Sequence, residues 1–226
     1  GSEMCIRDRG IPVGAPVVGI VARLDPVKNH EMFLKVAARV RAKEPATHFV
    51  VVGDGGRREG LERLADQLGL SHCVHFLGSR ADVPDLMSLM NVLVLTSHIE
   101  ANPVSILEAL ASGVPVVATR VGSVPDTVSN EVNGYLVEPG DAPVMTDRIV
   151  RLICFPEQAA EMGKRGRQHV VQQWSLEQMV RKYEQLIYDL YHQKRHMTRT
   201  RNEGRSSRIG DREIRKQRMQ SIDLEG

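Results

Sequence analysis

Val92-Leu93-Val94-Leu95, then Ser97-His98-Ile99-Glu100-Ala101-Asn102-Pro103-Val104-Ser105-Ile106-Leu107-Glu108-Ala109-Leu110-Ala111-Ser112-Gly113, then Val114-Pro115-Val116-Val117-Ala118, is the stretch whose reading decides the fold. Its outer runs are short, apolar and rich in valine, as strands buried on both faces are. Between them the pattern predicts a helix from Pro103 to Ala111. Asn102 suits the N-cap, Pro103 the first helical position and Gly113 the stop. A strand, a helix and a second strand in so short a span form a right-handed crossover between parallel strands.

The same alternation extends in both directions. Upstream, Val17-Val18-Gly19-Ile20-Val21-Ala22, His48-Phe49-Val50-Val51-Val52 and Val74-His75-Phe76-Leu77 read as strands. Helical spacing falls between them, over 29–43 (Phe33, Val36, Ala37, Val40) and at Leu61, Leu64, Ala65 and Leu68, which Gly69 closes. A short helix is expected from Val83 to Met90. Downstream, Asn133-Gly134-Tyr135-Leu136-Val137 is one more short strand, with helices over 142–154 and 176–191. Strands alternating with helices define an α/β fold, a Rossmann-like parallel sheet with helices on both faces.

Composition sets the limits. Of 226 residues, 42% are hydrophobic and 26% charged, with a net charge of +2, as in an ordinary soluble globular protein. No run of 18 apolar residues is present, and the first residues form no apolar stretch, so no secretory signal is expected among them. Cys5, Cys73 and Cys154 are far apart, which fits a reducing, cytoplasmic setting and supplies no zinc cluster. Residues 1–9 show no period, and Gly1-Ser2 resembles a cloning scar, so the folded unit is expected over 10–194. Residues 195–226 carry nine Lys or Arg against five Asp or Glu and only isolated apolar side chains. They are expected to be a disordered basic tail and not a nucleic-acid arm, since they hold no aromatic residue.

In open parallel sheets ligands bind beyond the carboxyl ends of the strands. Four such ends stand out. After the first strand, Arg23 and Lys28 flank a strand-to-helix turn, where an arginine fork and a lysine point charge suit a diphosphate. Two solvated surface cations would give the same pattern. After the second, Gly53-Asp54-Gly55-Gly56 allows close backbone approach or a plain tight turn, and lacks the ending of a P-loop. After the third come Leu77, Gly78, Ser79 and Arg80, able to face a nucleobase edge. After the fourth, Glu100 precedes a helix whose first amides, at Val104 and Ser105, point at any anion held there. Glu108 lies inside that apolar helix. Its carboxylate needs donors, which sugar hydroxyls or a nearby cation would supply. His30, His75 and His98 lie near strand ends and read as ordinary polar residues, with no common metal.

Glu100-x7-Glu108 followed by Ala109-x-Ala111-x-Gly113-x-Pro115-Val116-Val117-Ala118-Thr119 resembles the signature of the family 4 retaining glycosyltransferases, which have the GT-B architecture. Arg23-x4-Lys28, Val51-Val52-Gly53-Asp54-Gly55, Phe76-Leu77-Gly78 and Asn133-Gly134-Tyr135-Leu136-Val137 follow that family's order and spacing, over about 10–191. The resemblance implies the donor-binding, C-terminal half of an enzyme that transfers sugar from a UDP-, GDP- or ADP-sugar to an acceptor hydroxyl. Arg23 and Lys28 would hold the diphosphate, Glu108 the ribose and Glu100 the donor sugar. Gly53 and Asp54 would contact the nucleotide, Leu77–Arg80 would flank the base, and the Asn102-Pro103-Val104-Ser105 turn would hold phosphate.

It further implies no metal and no other cofactor. The carbohydrate or lipid-linked acceptor would be bound by an N-terminal domain expected to be absent here, with peripheral membrane association of the parent enzyme. The last helix would return to that domain, leaving Tyr183, Tyr188 and Tyr191 partly exposed. A nucleotide-sugar-binding module without turnover and a GT-B-like sugar-nucleotide epimerase are the alternatives. The Glu-x7-Glu spacing with the Arg/Lys pair argues against the epimerase.

Overall fold

A computed structural model describes residues 10–194. The expectations for 1–9 and for the tail 195–226 fall outside the described residues. The chain divides into two compact units after Gln172.

The first unit holds a six-stranded, wholly parallel sheet. Its strands are β1 (Val17–Val21), β2 (His48–Val52), β3 (Val74–Gly78), β4 (Val92–Leu95), β5 (Val116–Thr119) and β6 (Gly134–Val137). Their order is β3-β2-β1-β4-β5-β6. The chain therefore builds outward from β1 to β3, returns to place β4 beside β1, and builds outward the other way. Loops leaving β1 and β4 run to opposite faces, so a crevice opens above that pair. Five helices connect the strands, α1 (His30–Lys43), α2 (Arg58–Gln67), α3 (Val83–Ser88), α4 (Val104–Ala111) and α5 (Val124–Thr127), and two more follow β6, α6 (Ala142–Cys154) and α7 (Pro156–Trp174).

Although the strands are apolar throughout, their alternation assigns each side chain to a face. Val18, Ile20, Phe49, Val51, Val92, Val94 and Val117 pack under α1, α2 and α6, against Phe33, Val36, Leu61, Met145 and Ile149. Val17, Val50, Val52, Leu93, Leu95, Val116 and Ala118 pack on the other face, against Leu86 and Met87 of α3, Ile106, Ala109 and Leu110 of α4, and Val170 of α7. Each of these side chains larger than alanine contributes about 1.5–3 kcal/mol by leaving water. Gly19 is the exception within β1: a Cβ there would lie 2.1 Å from the sulfur of Met90, which fills that space.

The strand pattern read from the sequence is the pattern found, with shifted ends. The fifth strand starts at Val116 instead of Val114. Pro115 has no N–H for the ladder and contributes only its carbonyl, which accepts from the Leu93 amide at 3.0 Å. α5 and α7 were not anticipated. Gly163 and Gly166 break the helical reading of 156–174, yet they are what lets α7 dock. A Cβ on Gly163 would lie 1.8 Å from the Gly113 carbonyl oxygen, and one on Gly166 would lie 2.6 Å from Leu110 Cδ2. The buried face of α7 is therefore made of small residues and two larger ones, Met162 and Val170.

In the second unit residues 176–194 are helical. Leu176, Met179, Tyr183, Leu186, Ile187, Tyr188 and Tyr191 are exposed, including the three tyrosines for which partial exposure was expected.

Gly163→Ala will destabilise the fold by about 1–3 kcal/mol in urea unfolding, since the methyl meets a backbone atom that cannot swing away. Gly56→Ala, with open space around its Cβ, will change stability by less than about 0.5 kcal/mol. Equal effects at the two positions would refute the packing account of α7.

Candidate functional site

The loop after β1 is zipped onto the loop after β2. Ala22 donates its amide to the Val52 carbonyl and Leu24 to the Asp54 carbonyl, both at 3.0 Å. This approach explains Gly53 and Gly55: both have positive φ, and a Cβ would stand 2.0 Å from Ala22 O and 2.5 Å from Leu24 O respectively. Asp25 then organises the turn. Its carboxylate accepts from Arg23 Nε at 2.7 Å and from the Lys28 amide at 3.3 Å, capping the 3-10 turn Pro26–Lys28. Asn29 adopts a left-handed conformation (φ 51°) and its side chain accepts from the Met32 amide to start α1. Thr96 Oγ1 reaches the Lys28 and Asn29 carbonyls, each at 2.9 Å. Lys28 is thereby fixed from β1 and from β4.

Across the crevice the loop after β4 carries Glu100, which is buried at 6% exposure. Its Oε1 accepts from Lys28 Nζ and from Ser97 Oγ, both at 2.6 Å. The end of β5 and the loop after it hold this one in place. Thr119 Oγ1 donates to the Ser97 carbonyl at 2.7 Å, the Ser123 amide to the Glu100 carbonyl at 3.2 Å, and Ser123 Oγ to the Ala101 carbonyl at 2.6 Å. Gly122 makes room, since a Cβ there would stand 1.7 Å from Glu100 O. Sequence reasoning gave Thr119 no role and missed Gly122 and Ser123, because their partners are backbone carbonyls some twenty positions earlier. Gly122 within Thr119-Arg120-Val121-Gly122-Ser123 was the available signal.

The start of α4 differs from expectation. Asn102 does not cap it; Pro103 takes the N-cap position with φ −77° and ψ 82°. That ψ lets the Val104 amide turn back to the Asn102 carbonyl at 3.0 Å, so the helix begins one residue later. Val104 is thus not a free donor. Among the described residues the Ser105 amide donates to no backbone carbonyl. One turn on, Glu108 is half-buried, no cation pairs with it among the described residues, and burial raises its carboxyl above the ordinary range.

These loops enclose a cleft of about 420 Å³ above β1 and β4. It brings together Arg23, Lys28, Gly53, Ser79, Arg80, Glu100, Asn102, Pro103, Val104, Ser105 and Glu108, with Val21, Ala22, Val52 and Val83 as apolar walls not anticipated. Asp54, Leu77 and Gly78 are not part of its lining. Asp54 is turned to its own loop, accepting from the Gly55 amide at 2.8 Å, and Leu77 is buried in the core. Gly78 receives the Gly53 amide on its carbonyl at 2.9 Å. Arg80 Nε and Nη2 fork onto the two oxygens of Asp82 at 2.8 and 2.7 Å, and this pairing holds the Asp82 carboxyl below the ordinary range.

The histidines are dispersed. His75 Nε2 faces His48 Nδ1 at 3.1 Å, away from the cleft lining, and His98 is exposed. His30, directly after Asn29, is 1% exposed with no hydrogen-bond partner for either ring nitrogen among the described residues. Burial lowers its pKa to about 4. Among the described residues no three metal-ligating side chains come together, and no helix is long and apolar enough to cross a membrane.

Cations and carboxylates are thus gathered at the switch point of a doubly wound sheet, the place where such sheets hold their ligands. Residues 3–169 match the family described as glycosyl transferases group 1, and the chain belongs to it. It is 33% identical to N-acetyl-alpha-D-glucosaminyl L-malate synthase of Bacillus anthracis over 71% of this chain and 41% of that protein. Its fold is similar to that of HepE from Anabaena in complex with UDP-glucose, with a TM-score of 0.76 and 26% identity, over 83% of this chain and 52% of that one. It is also similar to the C-terminal domain of a glycosyl transferase group 1 family protein (LpcC) from Francisella tularensis. There the TM-score is 0.69 and the identity 28%, over 78% of this chain and 94% of that one. The chain spans less than half of the curated relative and about half of HepE.

Because His30 is neutral when folded and takes a proton near pH 6.5 when unfolded, its contribution is fully present above pH 6.5 and is lost as pH falls toward 4. Stability measured by urea unfolding will drop by up to about 3 kcal/mol across that window on this account. His30→Leu will flatten the profile, and an unchanged slope in that variant would assign the acid sensitivity elsewhere.

Proposed function

We propose that this chain is the donor-binding domain of a family 4 retaining glycosyltransferase of GT-B architecture, taking sugar from a nucleoside-diphosphate sugar to an acceptor hydroxyl. The observation that carries the reading is the convergence of Arg23, Lys28, Glu100 and Glu108 on one cleft at the switch point of the sheet. Membership of the group 1 glycosyl transferases and the UDP-glucose held by HepE support it.

Arg23 and Lys28 grip the diphosphate and stabilise the charge that develops on it as the sugar leaves, with the Ser105 amide as a further donor. On this reading the two cations supply the charge neutralisation that a divalent ion gives elsewhere, and no metal is needed. Glu108 accepts from the ribose hydroxyls, which meets the need of its half-buried carboxylate for donors. Glu100 accepts from hydroxyls of the sugar and orients it. Ser79 and Arg80 flank the base. The acceptor, carbohydrate or lipid-linked, is held by a partner domain, and the whole enzyme works in the cytoplasm, in peripheral contact with the membrane when the acceptor is a lipid.

Calorimetry with UDP, GDP and ADP tests the reading. Arg23→Ala and Lys28→Met will each weaken the preferred diphosphate by about tenfold or more, the worth of one charge-assisted bond. Unchanged affinity in both would refute the assignment. Glu108→Gln will weaken the nucleotide and spare pyrophosphate, and equal loss for both ligands with the fold intact would remove Glu108 from the ribose.

A further inference from the structure

We propose that Glu100 is the resting counter-ion of Lys28, so that a nucleoside diphosphate binds by drawing Lys28 away from Glu100 and departs when Glu100 takes Lys28 back. The inference rests on the donor-site reading above. Lys28 Nζ lies 2.6 Å from Glu100 Oε1, with side-chain exposures of 25% and 5%. The same oxygen also receives Ser97 Oγ at 2.6 Å. Glu100 cannot retreat, since Ser123 and Gly122 fix its backbone and Thr119 fixes that of Ser97. Lys28 is held by its backbone, and its ammonium opens on the cleft. The mobile member of the pair is therefore the lysine head.

A buried carboxylate stripped of its cation is costly unless other donors replace it. In a donor complex the sugar hydroxyls can donate to Glu100 while Lys28 turns to the diphosphate. After transfer the sugar is gone, Glu100 is left with Ser97 alone, and its pull on Lys28 returns. The two anions, carboxylate and diphosphate, then compete for one ammonium. Glu100 thereby weakens the product complex specifically, and through Lys28. Arg23 with Asp25 and Arg80 with Asp82 repeat the motif of a cleft cation held by its own acid.

The test is a double-mutant cycle read by calorimetry with UDP on the chain as it stands. Glu100→Gln keeps the shape and the Ser97 hydrogen bond but removes the charge, and will bind UDP about fivefold more tightly, the scale of a partly exposed charge pair. Lys28→Met will bind UDP more weakly, and adding Glu100→Gln to it will bring no tightening. Asp147→Asn, the same charge change at the distant Lys43 pair, will leave affinity unchanged. Equal or weaker binding by Glu100→Gln, or the same tightening in the Lys28→Met background, would overturn the exchange while leaving the donor site standing. No binding of UDP, GDP or ADP by the folded parent chain would overturn the donor-site reading and this inference with it. Should Glu100→Gln fail to fold, the ammonium 15N signal of Lys28 in the parent chain, assigned by its loss in Lys28→Arg, decides. Its movement on saturation with UDP supports the exchange, and an unmoved signal overturns it.

Discussion

A buried carboxylate at the mouth of a parallel sheet is the constraint around which the site is built. Glu100 lies where the strand order reverses, on the loop after β4, facing the loop after β1. Taking such a charge out of water costs several kcal/mol, and the cost is offset only by a matched cation and well-aimed hydrogen bonds. Lys28 and Ser97 supply them. Every neighbouring device serves that geometry: Asp25 and Thr96 fix Lys28, while Thr119, Gly122 and Ser123 fix the Glu100 loop. Removing either partner leaves a lone charge, so this one pair ties the two loops to each other.

This dependence runs back into the fold. The two loops meet only because β1 and β4 are adjacent, and that adjacency needs the crossover after β3 to return over the sheet. Gly19 in β1 lets Met90 pack at the start of β4, so even a residue remote from the cleft takes part in closing that pair. The core supplies rigidity on both faces, and the cleft inherits it through short loops.

Much of this was legible in the sequence, and the parts that were not share a cause. The strands were visible because apolar runs of four or five residues bounded by Gly, Pro or charge have few other readings. Arg23, Lys28 and Glu100 were visible as charges in the loops that leave strand ends, Glu108 as a carboxylate inside an apolar helix, and their spacing resembles that of a known family. The helix α7 was hidden because Gly163 and Gly166, poor helix formers in isolation, are selected by the closeness of Gly113 and Leu110, far away in the chain. The Pro103 turn was hidden because the local preference of Asn102 for capping is outweighed by a turn that the loop to Glu100 imposes. Thr119 and Ser123 were hidden because a hydroxyl bound to a distant carbonyl leaves no pattern. Local propensity shows in the sequence; contact between loops does not.

The pairing of each cleft cation with a carboxylate has a kinetic consequence. Arg23, Lys28 and Arg80 lie within hydrogen-bonding distance of Asp25, Glu100 and Asp82, and Glu108 adds a further acid to the same wall. From beyond a Debye length such a surface presents dipoles in place of a positive field. An anion approaching it is not steered, and its encounter rate is set by diffusion and orientation with little dependence on ionic strength. The attraction is instead kept for short range, at the pairs themselves. If the cleft holds a diphosphate as proposed, it discriminates by fit at contact and does not concentrate every passing polyphosphate at its mouth.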